Sequence, residues 1–269
     1  MLNEQHLHDL YDACCRTNTL WKNFDIEGFK QFDIQTNVTG QFNRAITKHI
    51  RLGQLAEQFI FHHIESIDDY HLIAENIQVK ENQRTLGELD AIVNAKNRLV
   101  HLEMVYKFYV YDPSQGATEI SRWIGPNRKD SLTEKLTKLK NKQFPLLYHE
   151  ATQKLIRALG IDVSALEQQV LFKAQLFKPY RQNISFEQLN PECLKGFYIQ
   201  KEQLKAFDNH VFYIPKKYDW LLDPHDNVKW LTLTDFQNAV DIYLSEQQSP
   251  LFWVKSPEDK FQKGFLVWW

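Results

Sequence analysis

The chain has 269 residues, with 32 Lys and Arg against 34 Asp and Glu for a net charge of −2, which excludes a global basic field; any hold on a polyanion must be local. Seven Trp, eleven Tyr and eighteen Phe supply enough apolar surface for a substantial core and exclude a disordered chain. No apolar run approaches the ~20 residues needed to span a bilayer, so no membrane association is expected.

The N-terminus MLNEQHLHDLYDACC lacks the cationic and apolar stretches of a signal peptide, and the expected location is cytoplasmic. Cys14 and Cys15 are adjacent and Cys193 is isolated, a pattern of ordinary reduced thiols without zinc or redox spacing. No repeat, low-complexity tract or Gly/Ser linker marks a boundary. One domain over 1–269 is expected, with a core at about 50–180 and a C-terminal α/β elaboration at about 181–269.

The first forty residues read as helical and then irregular. From Arg51 to Glu65 the apolar positions Leu52, Leu55, Ala56, Phe59 and Ile60 recur at helical spacing. A strand follows near His71 to Val79, then the polar turn KENQRT, a strand from Leu86 to Val93, the turn NAKN and a long strand from Arg98 to Val110. The short Asn/Lys-rich turn makes the last two a hairpin. A helix begins near Ser131, with Glu134 at capping-box spacing, and reaches Lys142. A second helix (ATQKLIRAL), a strand (VLFKAQLF), apolar runs at GFYI, VFYI, WLTL, LFWV and GFLVWW, and a helix from Asp235 to Ser245 complete an α/β pattern.

Strand periodicity separates the faces of the long strand. Val100, Leu102, Met104, Tyr106, Phe108 and Val110 line one; His101, Glu103, Val105 and Lys107 lie on the other. On the preceding strand Glu88 and Asp90 share a face, so hairpin pairing would bring Asp90 toward Glu103. Two such carboxylates repel without a cation, and oxygen ligands of this kind suit Mg²⁺ or Mn²⁺. The alternative, a solvated hairpin face, explains the same pattern.

GELDAIV followed by HLEMVYKF resembles the PD-(D/E)XK, or restriction-endonuclease-like, nucleases. RLGQLAEQFIF, GELDAIV, LVHLEMVYKFYV and WIGPNRKDSLTEKL together look like an uncharacterised bacterial family assigned to that superfamily. The resemblance covers about Arg51 to Phe144. It implies a mixed sheet flanked by helices, and a metal-dependent phosphodiester hydrolase acting on nucleic acid. It also implies Asp90 and Glu103 as metal ligands, Glu57 as the acid of the first helix, and a lysine on the third strand. The usual E-x-K pattern would put that lysine at 105. This chain has Val105 there and Lys107 two residues later, where the Cα separation from Glu103 grows to ~13 Å from ~7 Å.

The segment Arg122 to Lys142 is locally basic. Arg128, Lys129, Lys135, Lys138 and Lys142 form a stripe suited to phosphates, or equally a solvated face, beside a buried stripe of Leu132, Leu136 and Leu139. A nuclease fold without catalysis would use that surface to bind nucleic acid or a protein partner. His6, His8, His62 and His63 lack acids at ligand spacing, and no GxGxxG, GxxxxGK[ST], GxSxG or HExxH motif occurs.

Overall fold

The structure is a computed structural model that describes residues 3–37, 40–46 and 49–269. Of the first forty residues, read above as helical and then irregular, 1, 2, 38 and 39 lie outside the described ones. The elements in chain order are α1 (Glu4–Arg16), α2 (Leu52–Glu65), β1 (Tyr70–Glu81), β2 (Arg84–Ala95), β3 (Arg98–Tyr111), β4 (Trp123–Ile124), α3 (Leu132–Lys138), a π turn (Leu139–Gln143), α4 (Phe144–Leu146) and α5 (Glu150–Ala158). They continue with β5 (Glu167–Pro179), β6 (Leu194–Ile199), β7 (Val211–Tyr213), α6 (Leu233–Ser245), β8 (Leu251–Lys255) and β9 (Phe261–Leu266). The fold is α/β with a nine-stranded mixed sheet. The chain divides into two compact units, Met1–Tyr106 with Glu134–Lys173, and Lys107–Thr133 with Ala174–Trp269.

In the first unit β1, β2 and β3 form an antiparallel meander. Its turns follow from residues that tolerate positive φ. Asn82 and Gln83 (φ 45 and 67) reverse the chain between β1 and β2, and Lys96 and Asn97 (φ 51 and 63) do so between β2 and β3. Val79, Leu89, Ile92, Leu147 and Ile156 pack into one core cluster that joins the hairpin to the helices after it. Irregular backbone is fixed by polar groups: His62 and His63 donate to the carbonyls of Gln41 and Gln35, and buried Lys173 donates to those of Cys15 (2.8 Å) and Thr17 (2.6 Å). Both faces of β3 are buried, and His101 and Glu103 are 0% exposed. The solvated-face explanation of that strand is therefore excluded.

In the second unit β5, β6 and β9 run parallel, while β9, β8 and β7 are antiparallel. Four of the five apolar runs become β6, β7, β8 and β9. WLTL does not: Leu231 makes only an isolated bridge to Phe212, and Thr232 caps α6 by accepting from the Asp235 backbone N–H. The core is aromatic, with Phe212 and Phe236 stacked at 4.4 Å beside Phe197, Phe207 and Phe252. Lys263 is buried there with three acceptors, Gln175 Oε1 and the carbonyls of Trp220 and Leu222, which replace the water its amine would otherwise hold.

At Gly196 a Cβ would lie 1.9 Å from the Lys263 carbonyl oxygen, so β6 and β9 approach this closely only because that residue has no side chain. Gly196→Ala should destabilise the protein by about 1–3 kcal/mol in thermal or urea unfolding. Gly53→Ala, where a Cβ meets nothing within 4 Å on α2, should instead be neutral or stabilising.

Candidate active site

The β2–β3 ladder runs from Ala95↔Arg98 to Ala91↔Leu102 and stops. One step further the register brings Asp90 opposite Glu103. There the Asp90 side chain substitutes for the missing ladder bond, its Oδ2 accepting the Met104 backbone N–H at 2.7 Å. On the other edge of β2, Asn76 falls opposite Asp90 and takes a left-handed conformation (φ 50), which asparagine tolerates better than most residues. Regular pairing is thus interrupted on both sides of Asp90.

Glu103 is held by the protein at both oxygens. His101 Nε2 lies 3.1 Å from Oε1, and Gln143 Nε2 donates to Oε2. Gln168 Nε2 donates to His101 Nδ1 at 2.9 Å and to the Phe144 carbonyl at 2.8 Å. An imidazole accepting at Nδ1 carries its proton on Nε2, so His101 is a neutral donor to Glu103. Burial pushes its pKa down to about 4, which suits that role and excludes its being charged at neutral pH.

Gln143 arrives through the π turn Leu139–Gln143, in which one extra residue per turn rotates the following side chain out of the α-helical series. Its Oε1 accepts from Lys135 Nζ at 2.8 Å while its Nε2 serves Glu103. A hydrogen-bonded line therefore runs from the Lys135 amine through Gln143 to Glu103.

Glu57, on α2, completes the acidic group. Burial, then the charges of Asp90 and Glu88, raises its pKa to about 8, with Lys135 opposing. Burial and the adjacent Glu103 raise Asp90 to about 7, against the Met104 N–H and Lys135. Burial raises Glu103 similarly, against Lys135 and hydrogen bonds from Asp90 and Gln143. One amine and three carboxylates thus share an electrostatic neighbourhood, and a cleft of about 380 Å³ reaches it at Glu57 and Glu88.

Of the sequence-derived residues, Asp90 and Glu103 come together at the end of the β2–β3 ladder, and Glu57 lies within electrostatic reach of them. Lys107 belongs to the second unit, where its amine is ion-paired with Asp130. Lys135 was grouped with the outward stripe, yet it is half-buried and faces the acids; Lys138 and Lys142 are exposed. Arg128 and Lys129 lie in the second unit. Arg128 pairs with Asp112 at 2.7 Å and lies over the Trp269 ring at 3.8 Å, whereas Lys129 is exposed. Gln143 and Gln168 carried no signal in the sequence, because amides have no motif spacing and Gln143, eight residues after Lys135, is out of line with it on a regular helix until the π turn adds a residue.

Asp90 and Glu103 are hard oxygen donors of the kind that hold Mg²⁺ or Mn²⁺ together with waters. Among the described residues no group of three or more His, Cys, Asp or Glu side chains is placed to hold a metal ion. A two-carboxylate Mg²⁺ site does not require one. No described helix is long and apolar enough to cross a membrane.

Comparison with known proteins places the chain in a family. A domain of unknown function, DUF1853, matches residues 18–267, and the chain belongs to it. No curated protein and no solved structure matches.

The raised carboxyl pKa values give metal-free protein a definite pH dependence. In the unfolded chain these groups titrate near ~4, so the folded state retains protons that the unfolded state has lost. Their stabilising contribution is complete below that pH and is lost as pH rises through about 7 to about 8. In EDTA the melting temperature should fall from pH 5 to pH 8.5. Asp90→Asn, which keeps an oxygen for the Met104 N–H, should flatten the fall and stabilise the protein at pH 8 by on the order of 2 kcal/mol.

Proposed function

We propose that this DUF1853 protein is a divalent-metal-dependent phosphodiester hydrolase acting on nucleic acid, with a restriction-endonuclease-like core. The observation that carries the reading is Asp90 standing opposite Glu103 where the β2–β3 ladder ends, with Glu103 tied through Gln143 to the Lys135 amine and Glu57 within electrostatic reach. Like-charged side chains gathered at this depth cost stability, and such arrangements concentrate at functional sites.

Asp90 and Glu103 would hold Mg²⁺ or Mn²⁺, which when bound supplies water activation and neutralises developing phosphate charge. His101 and Gln143 fix the Glu103 carboxylate from both sides, so its orientation is set before any ligand arrives. Lys135 contributes a positive charge that offsets the negative charge accumulating on a phosphoryl group. Gln143 holds that amine at 2.8 Å. Glu57, at the cleft, exchanges a proton near neutral pH and can accept or return one at the mouth of the site. The lysine that the resemblance calls for on β3 is thus supplied from α3.

One observation favours a second reading, a nuclease fold that binds nucleic acid or a protein partner without cutting it. Glu103 has no exposed surface, and both its oxygens already accept hydrogen bonds. Exposed Lys138 and Lys142 in the first unit, and Lys129 in the second, then serve as phosphate contacts.

With millimolar Mg²⁺ or Mn²⁺ the protein should cleave at least one of single-stranded, double-stranded or branched nucleic acid. Asp90→Asn and Glu103→Gln should abolish cleavage, and Lys135→Ala should lower kcat by roughly 10²–10³. Lys107→Ala should stay close to wild type. Metal should also raise the melting temperature of the wild type and not of Asp90→Asn. The second reading instead requires no metal effect and no cleavage, with affinity falling when Lys138 and Lys142 are replaced.

A further inference from the structure

The cleft beside the acids has a chemistry of its own. It is lined by Ile46 and Ile50, by the amides of Gln54, Gln58 and Asn76 and by the carboxylates of Glu57 and Glu88. The orientation of two of those amides is determined by their partners. Gln54 Oε1 accepts the Arg51 backbone N–H at 3.0 Å, and Gln58 Oε1 accepts from Arg44 Nη1 at 3.0 Å. Backbone N–H and guanidinium groups are donors only, so each glutamine must turn its oxygen to them and its NH₂ away. Arg44 itself is spent on Glu65 and Glu75 as well as Gln58.

The lining therefore combines amide groups whose NH₂ is left for another acceptor with carboxylate acceptors and apolar side chains. Among the described residues that line it there is no Lys or Arg. A phosphate in that position would face the carboxylates of Glu57 and Glu88, whereas a neutral heterocycle carrying carbonyl acceptors and N–H donors along one edge matches both kinds of group. A volume of about 380 Å³ is at the scale of a nucleobase with part of its sugar.

We propose that this cleft seats one unstacked nucleobase of the substrate strand, read along its hydrogen-bonding edge by Gln54, Gln58 and Glu88. The substrate class is then single-stranded nucleic acid or a frayed end, since a base inside a duplex does not present that edge. This inference rests on the nucleic-acid reading above and specifies which form of the polymer the site takes.

The test measures fluorescence anisotropy of a short labelled single strand bound by the full chain in EDTA, so that no cleavage competes. The same strand with abasic positions and a blunt duplex serve as comparisons. The intact strand should bind about tenfold more tightly than the abasic one. Replacing Gln54 and Gln58 together with Ala should remove that preference. Ile46→Trp, which fills the cleft and leaves both glutamines in place, should do the same, and melting curves verify that each variant is folded. Equal affinity for intact and abasic strands, or a preference unchanged in both variants, overturns the proposal.

A parallel cleavage assay in Mg²⁺ separates the two readings. Cleavage with no dependence on bases removes the cleft assignment and leaves the hydrolase standing. Base-dependent binding without cleavage removes the hydrolase and leaves the base site.

Discussion

Glu103 has no exposed surface, and a carboxylate in such a place is stable only if the protein supplies what water would have given it. The surrounding structure answers that requirement. His101 is neutral because Gln168 occupies its Nδ1 and burial disfavours its charged form, so it can only donate toward Glu103. Gln143 reaches the other oxygen through a π turn, a helix irregularity worth about one residue of rotation. Asp90 turns one oxygen to the Met104 N–H exposed where the β2–β3 ladder ends. Each departure from regular secondary structure in this part of the first unit has a polar group at its centre.

Those donors orient the acids without neutralising them. Asp90 lies against Glu103, Glu57 joins them from α2, and Lys135 offsets part of the charge. In the metal-free protein burial and mutual repulsion favour the protonated carboxyl groups, raising Asp90 and Glu103 to about 7 and Glu57 to about 8. A divalent cation would relieve that repulsion in place of the protons. The arrangement is poor for stability and good for binding a cation and a phosphate beside it, a trade commonly found at functional sites.

The elements themselves were largely legible in the sequence. The period of two over β2 and β3 and the short polar turns KENQRT and NAKN point to a meander. That meander brings Asp90 and Glu103 to one place. What periodicity left open was the depth of burial: an acid and a histidine on one face of a strand also describe a solvated sheet, and only tertiary packing distinguishes the two. Lys135 was misjudged for a related reason. On a helical wheel it groups with Lys138 and Lys142, but the acids across from α3 draw its amine inward. The amides escaped because hydrogen-bond relays leave no spacing signature. The run WLTL looked like a strand, yet Thr232 is committed to capping α6, which ends extended pairing there.

If a divalent cation displaces protons held among Glu57, Asp90 and Glu103, calorimetric titration of Mn²⁺ at pH 7, repeated in buffers of different ionisation enthalpy, will count protons released per metal bound. The expected result is binding to one class of site with net proton release, both lost in Asp90→Asn. Absence of binding, or binding without proton release that persists in Asp90→Asn, would contradict it.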